Sequence, residues 1–261
     1  MQTNEETPKY PMTIPPAMED AREETERRRR ELAIGCRLLS SLNLDWGTAG
    51  HITVRDARQP DCFWVNAYGR HFGTLTTNDL LLVDKSGKVL AGDGILNPAS
   101  FAVHAAIHEA RPDVLAIAHG HSTHGKAWAS LGRQLDPITQ DACAFFDDHA
   151  VLELYSGIVL SDEEGKLIAR TLGSRKALLL QNHGLLTVGT TIESCIFWLV
   201  SLDNACRVQL LAEAAGQPRA LPEEVARRTR RAIGREVVAY FGYQNLRQKF
   251  IADHPSLEHC L

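Results

Sequence analysis

The stretch Val114-Leu-Ala-Ile-Ala-His-Gly-His-Ser122 decides how this chain is read. Its first five residues are apolar and follow the breaker Arg111-Pro112-Asp113, which predicts a buried strand over 114–118 ending at His119, with a helix restarting near Ser122. Extended backbone points residues i and i+2 the same way, so the imidazoles of His119 and His121 converge, and Gly120 keeps the backbone between them uncluttered. A second apolar run, Ala177–Leu180, leads into Gln181-Asn-His-Gly184 and then Leu185–Val188, which places His183 in a turn between two strands. Three imidazoles at strand ends, with a position left open, form the ligand pattern of a catalytic metal site. On spacing alone, surface histidines at strand ends are an equally good reading.

Working outward, Glu19 to about Leu42 predicts a helix, charged in its first half and apolar at Leu32, Ile34, Leu38 and Leu39. Residues 47–92 read as short strands (His51–Val54, Phe63–Val65, Leu80–Val83, Val89–Leu90) separated by Gly, Asp and Asn turns. Asn97-Pro98 is an N-cap followed by a first-turn proline, opening a helix to about Glu109. Thr191–Ala214 and Pro222–Phe241 predict two more helices. Strands and helices interleave over 25–241, so residues 21–261 are expected to form one α/β domain with helices covering a central sheet, after a polar, Pro-rich arm over 1–20.

Bulk composition narrows the function classes. A net charge of −4 with acids and bases well mixed gives no reason to expect nucleic acid or an anionic membrane as partner. The basic run Arg27–Arg30 follows Glu23, Glu24 and Glu26 and reads as a solvated helix face. No stretch of 18 apolar residues suggests a membrane span. The six cysteines, without paired spacing, suit reduced thiols in a cytoplasmic protein.

The motifs Gly47-Thr-Ala-Gly-His-Ile-Thr-Val-Arg55, Arg111-Pro-Asp-Val114, Ala118-His-Gly-His-Ser122 and Leu180-Gln-Asn-His-Gly184 occur in an order that resembles the class II aldolase/adducin family. The resemblance covers roughly residues 28–215. It implies a single three-layer α/β/α domain with a mixed, largely antiparallel sheet. It also implies a fourfold-symmetric homotetramer with the metal site near a subunit interface, and one divalent ion per subunit on His119, His121 and His183. Zinc is the first expectation, iron or manganese the alternatives.

The chain departs from the sugar-phosphate aldolases of that family. They carry a metal-binding, proton-shuttling glutamate on the helix before the His-x-His strand; the matching position here is Ser100, and a serine cannot act as a general base near neutral pH. Their phosphate-cradling places read here as His51, Asn66-Ala-Tyr-Gly69 and Pro98-Ala99, where proline removes a donor, alanine a hydroxyl, and Tyr68 and His71 add bulk. Ser100, His51 and Tyr68 are therefore expected to contact a small acid rather than a sugar phosphate. His104 and His108, at i and i+4 on the Ser100 face, are candidates for proton transfer, with packing as the alternative. His124 reads as a helix-surface residue. The cluster of Asp141, Asp147, Asp148 and His149 falls in a region that lines the pocket in relatives, but reads more simply as solvated loop acids. Tyr240 and Tyr243 are expected to pack at a surface or interface, with pocket closure as the alternative. The expected activity is metal-dependent C–C cleavage, by retro-aldol or decarboxylation, of a small hydroxy, keto or hydroxyaryl acid. The alternatives are a non-haem Fe(II) oxygenase and an adducin-like interaction module; decarboxylation suits a site without the glutamate, because it needs no base to begin.

Overall fold

A computed structural model describes residues 12–157, 161–255 and 257. Residues 1–11 of the expected arm, and Cys260, lie outside the described residues. Helix α1 (Ala21–Ser41) starts where the Asp20 carboxylate accepts the N–H groups of Arg22 and Glu23. Strands β1 (His51–Arg55), β2 (Phe63–Asn66), β3 (Leu80–Val83) and β4 (Val89–Ala91) follow as an antiparallel meander. Helix α2 (Pro98–Ala110) opens as its sequence predicts, with the Asn97 side chain accepting the Ala99 N–H. Then come β5 (Ala116–Gly120), α3 (Thr123–Ala129), β6 (His149–Leu152), α4 (Asp162–Leu172), β7 (Ala177–Leu180), β8 (Gly184–Gly189), α5 (Ile192–Ala215), α6 (Glu223–Ile233) and α7 (Glu236–Asp253).

The strands form one sheet of eight in the order β4-β3-β2-β1-β5-β8-β7-β6, antiparallel throughout except for the β6–β7 pair. Strand alternation builds the layers. Ile52, Val54, Ala116 and Ala118 face α1, α5 and α7 in a core that holds Leu32, Ile196, Trp198 and Tyr243. Ile117, Leu178 and Leu186 face α2 and α4, meeting Ile107, Ile168 and Leu172. By the same period of two, His51 and Thr53 project to the α2 side, so polar residues enter the interior there. The fold is the three-layer α/β/α arrangement with a mixed, largely antiparallel sheet. Helix α5, mostly apolar but with Asn204, Arg207 and Leu211 exposed, packs against β5, β8, α1, α3 and α7, which accounts for its composition.

Local structure corrects the sequence reading at four places. The helix expected over Pro222–Phe241 is two helices. Gly234 ends the first, its N–H 2.7 Å from the Arg230 carbonyl, and a Cβ there would sit 2.8 Å from that oxygen. The strand expected over 114–118 begins two residues later, because the Val114 N–H closes a turn onto the Arg111 carbonyl at 3.0 Å. Strand β6 and helix α4 were not foreseen. The start of α4 carries a capping box, Ser161 with Glu164, a signal present in the sequence.

Candidate metal centre and its cavity

Register brings the histidines together. In the β1–β5 ladder His51 lies opposite His119, and in β5–β8 His119 lies opposite Leu186. Asn182 adopts φ 58°, a left-handed conformation that asparagine tolerates better than most residues, and the His183 N–H closes onto the Leu180 carbonyl at 3.0 Å. That tight turn holds the His183 ring 4.8 Å from the His119 ring and 4.7 Å from the His121 ring, centroid to centroid. One ligand nitrogen from each of the three lies within 4.8 Å of the others, and the Nε2 atoms of His119 and His121 are 2.8 Å apart.

The chemistry of these donors fits a divalent ion. The His119 Nδ1–H donates to the Leu185 carbonyl at 2.8 Å, which fixes the tautomer and leaves the Nε2 lone pair facing the other two rings. Burial, followed by the neighbouring His183, His121 and His51, holds His119 well below the usual imidazole range. Burial, then His183 and Lys126, takes His121 down to about 4, and burial lowers His183. All three are therefore neutral at physiological pH, the form that ligates zinc, iron or manganese.

The triad sits at the base of a cavity of about 490 Å³, a typical size for a small-molecule site. Ile95, Leu96, Val103, Leu180, Tyr68 and Tyr155 supply apolar and aromatic wall. Among the described residues no Asp, Glu, Lys or Arg lines it.

The sequence-predicted residues divide around this cavity. His51 lines it, 8% exposed, with its ring 4.9 Å from that of His119, and Tyr68 lines it from a half-exposed position. Ser100, 1% exposed, does not reach it, and its Oγ has no hydrogen-bond partner among the described residues. His104 is fully buried behind His51, ring centroids 4.3 Å apart. His108 lies further back and borders a second cavity of about 410 Å³ between β2, α2 and α4. The Thr53 hydroxyl joins the two, 2.8 Å from His104 Nδ1 and 3.0 Å from His108 Nε2. Burial keeps both imidazoles neutral, His104 well below its usual range and His108 down at about 3; the nearby Arg55 adds to the latter and the Val114 carbonyl opposes it.

The acidic cluster belongs elsewhere. Asp148 pairs with Lys176 at 3.2 Å and Arg230 at 3.0 Å, and Asp147 pairs with Arg227 at 2.9 Å. His149 accepts the Leu135 N–H and donates to the Phe145 carbonyl, while Asp141 is exposed. Tyr243 is fully buried and donates to Glu31 at 2.8 Å, so it is a core residue rather than a surface or pocket residue. His124 is partly exposed against Asp203. Sequence reasoning missed Tyr155 and Ile95. Their only signal was an apolar side chain in turn-rich surroundings, as in Leu154-Tyr-Ser-Gly157.

A three-layer sandwich with a His-x-His strand end and a third histidine on the next hairpin defines an enzyme-like scaffold of the class II aldolase type. Residues 30–210 match the profile described as Class II Aldolase and Adducin N-terminal domain, and the chain belongs to that family. Decarboxylase NovR of Streptomyces niveus is 44% identical over 227 residues, spanning 86% of this chain and 84% of NovR. A 4-hydroxy-3-prenylphenylpyruvate oxygenase/4-hydroxy-3-prenylbenzoate synthase of Streptomyces roseochromogenus subsp. oscitans is 43% identical over 227 residues, spanning 86% of this chain and 82% of the relative. The structure of L-fuculose 1-phosphate aldolase from Glaciozyma antarctica PI12 superposes with a TM-score of 0.86 at 41% identity, covering 93% of this chain and 96% of that one.

Proposed function

We propose that this chain holds one divalent metal ion on His119, His121 and His183 and removes the carboxyl group of a small aryl-substituted keto or hydroxy acid. The cavity wall carries the reading. Among its described residues there is no carboxylate to serve as the base of a retro-aldol cleavage and no Lys or Arg to hold a phosphate. Its aliphatic and aromatic side chains suit a flat ring instead. The ion, when bound, supplies positive charge that chelates the carboxylate with an adjacent oxygen and steadies the electron density left as carbon dioxide departs.

The protein's own groups do the rest. The Leu185 carbonyl keeps the His119 donor aimed inward. Tyr68 and Tyr155 flank the ring of the acid, and Ile95 and Leu96 exclude water around it. His51, held neutral by burial beside His119, is the remaining imidazole on the wall and is placed to accept a proton or to hydrogen-bond the bound acid. The names of the two Streptomyces relatives, a decarboxylase and an arylpyruvate oxygenase/benzoate synthase, agree with an aryl acid that loses carbon. The exposed apolar groups Trp46, Ile95, Leu154 and Tyr155 suit assembly into a tetramer, and the five free buried thiols among the described residues suit the cytoplasm.

An oxidative version, with iron and dioxygen as co-substrate, has one observation in its favour besides the second relative's name. Ser100 stands back from the cavity, so the donors are three imidazoles and positions are left on that face for both a substrate and dioxygen. One experiment separates these readings: metal analysis of purified protein, then release of carbon dioxide and uptake of oxygen measured on arylpyruvates, aryl hydroxy acids and sugar phosphates. Carbon dioxide without oxygen uptake is the expected result, and equal amounts of both would select the oxidative version. Cleavage of a sugar phosphate, with no carbon dioxide from any aryl acid, would refute the proposal.

A further inference from the structure

We propose that the second cavity, between β2, α2 and α4, is a binding site for a free aromatic amino acid. Its floor is aromatic. Phe101 and His108 lie seven residues apart on one face of α2, and Phe63 of β2 meets both. The ring centroids of Phe63 and Phe101 are 6.1 Å apart at 23°, and those of Phe63 and His108 are 5.2 Å apart at 28°. These are the spacings of offset stacks. Phe63 and His108 are buried, whereas Phe101 is partly exposed and ends the stack inside the cavity. Ala105 and Ala106 keep the helix wall shallow, so room for a flat body remains between α2 and α4.

The rim carries both signs of charge on firm supports. Lys85 stands on the β3–β4 turn, where the Asp84 carboxylate accepts the Ser86 N–H (2.8 Å), the Ser86 hydroxyl (2.7 Å) and the Lys88 N–H (3.1 Å). Gly87 of that turn has φ 83°, and a Cβ there would lie 3.2 Å from the Phe101 ring, so the turn is seated on the aromatic floor. Asp61 follows a turn closed by the Asp56 carboxylate on the N–H groups of Arg58 (2.9 Å) and Gln59 (2.8 Å). Glu109 projects from the last turn of α2. Two other cations at the rim are already engaged. Arg55 donates to the carbonyls of Val114, Pro60, His108 and Arg111, and Lys166 pairs with Glu163 at 3.0 Å. Among the described residues, Lys85, Asp61 and Glu109 make no side-chain hydrogen bond and no salt bridge.

One free ammonium and two free carboxylates around a stacking floor select the ligand by its charges. An aryl carboxylate would meet Lys85 but bring its own charge toward Asp61 and Glu109. An aryl amine would meet the two acids and leave Lys85 without a partner. A free aromatic amino acid carries a ring, a carboxylate and an ammonium in one small molecule, and about 410 Å³ is the size of a small-molecule site. Its ring stacks on Phe101, its carboxylate meets Lys85, and its ammonium meets Asp61 and Glu109.

The test is a titration of the full chain with L-phenylalanine, followed by calorimetry and by amide chemical shifts. Saturable binding is expected, with shifts at Lys85, Gly87 and Phe101 and none at Gly120 or Gly184 beside the three histidines. Each analogue lacks one charged group, so 3-phenylpropanoate and 2-phenylethylamine should each bind about tenfold more weakly or worse. Lys85→Glu, on an exposed turn where the fold is not at stake, turns the carboxylate's partner into a repelling charge and should weaken L-phenylalanine about tenfold. Phe101→Ala removes the stacking ring and should do the same, while Tyr155→Ala, in the metal cavity, should leave affinity within about twofold. The proposal is overturned by absence of saturable binding, by either analogue binding as tightly as L-phenylalanine, or by shifts confined to the metal cavity. An unchanged affinity in Lys85→Glu would overturn it too, whether or not Phe101→Ala folds. None of these readouts needs turnover, so a protein that decarboxylates no aryl acid would refute the proposed function and leave this site standing.

Discussion

Gly184 is the tightest test of how the proposed metal centre is held. It follows His183 directly, and a Cβ built on it lies 2.6 Å from the Gly120 carbonyl oxygen and 3.3 Å from His119 Cε1. Ordinary contact begins near 3.4 Å, so Gly184→Ala must part β5 from β8 by roughly 0.8 Å at the point where all three ligands converge. The backbone of Gly184 is not left-handed, so alanine brings no conformational strain of its own. Its restriction of the unfolded chain would even stabilise by about 0.4–1 kcal/mol, which makes the test conservative. Overpacking of this kind costs about 1–3 kcal/mol. Net of that gain the cost is up to about 2.6 kcal/mol, and at about 2–4 °C per kcal/mol for a chain of this size calorimetry should record a Tm lower by up to about 10 °C. Ligand distances tolerate about 0.2 Å, so zinc affinity, measured by chelator competition, should fall as well. A loss of about 10–100-fold is the scale seen when the surroundings of metal ligands are disturbed. A Gly184→Ala protein with unchanged Tm and unchanged metal affinity would refute this account of the close approach.

Two further outcomes concern the frame around the site. Glu236 accepts hydrogen bonds from the Thr190 N–H (2.9 Å), the Thr190 hydroxyl (2.8 Å) and Trp198 Nε1 (3.0 Å), and also from the Ser194 hydroxyl, tying the start of α5 to α7. Glu236→Ala should cost about 1–3 kcal/mol, chiefly by stranding the buried Trp198 Nε1–H, read as a lower denaturation midpoint with metal affinity unchanged. Burial alone would raise the Glu24 carboxyl, but hydrogen bonds from Arg27 and Arg28 hold it down at about 2. A depressed carboxylate lends stability above its unfolded value of 4.5 and withdraws it as pH falls toward 2, so urea midpoints should drop between about pH 5 and about pH 3, and less steeply in Glu24→Gln.

Much of the site was legible because its signals are local. Asn97-Pro98, Thr191 and the His-x-His strand end each state their structure within a few residues, and the period of two alone brings His119 and His121 together. What escaped depends on the register between distant segments. The spacing of Ser100, His104 and His108 shows that they share a helix face. It cannot show that β1 covers that face, and so sets His104 behind His51 and aims Thr53 at both rings. Strand β6 was hidden for a similar reason: His149-Ala-Val-Leu152 is four residues at the sheet edge, flanked by acids, and its one partner is the parallel β7. The break at Gly234 was missed because a lone glycine is compatible with a helical pattern, and only the crowding at the Arg230 carbonyl shows that the helix ends there.

The bond from His119 to the Leu185 carbonyl has an evolutionary corollary. A side chain that orients a ligand can be lost by one codon change, whereas a main-chain carbonyl is supplied by every amino acid. The apparatus that aims the ligand is thereby insulated from mutation as long as the strand pairing holds. Much of the cavity wall, by contrast, comes from the loops carrying Tyr68, Ile95 and Tyr155, which can be rewritten freely. Divergence in what the cavity accepts can thus accumulate without eroding the centre that acts on it.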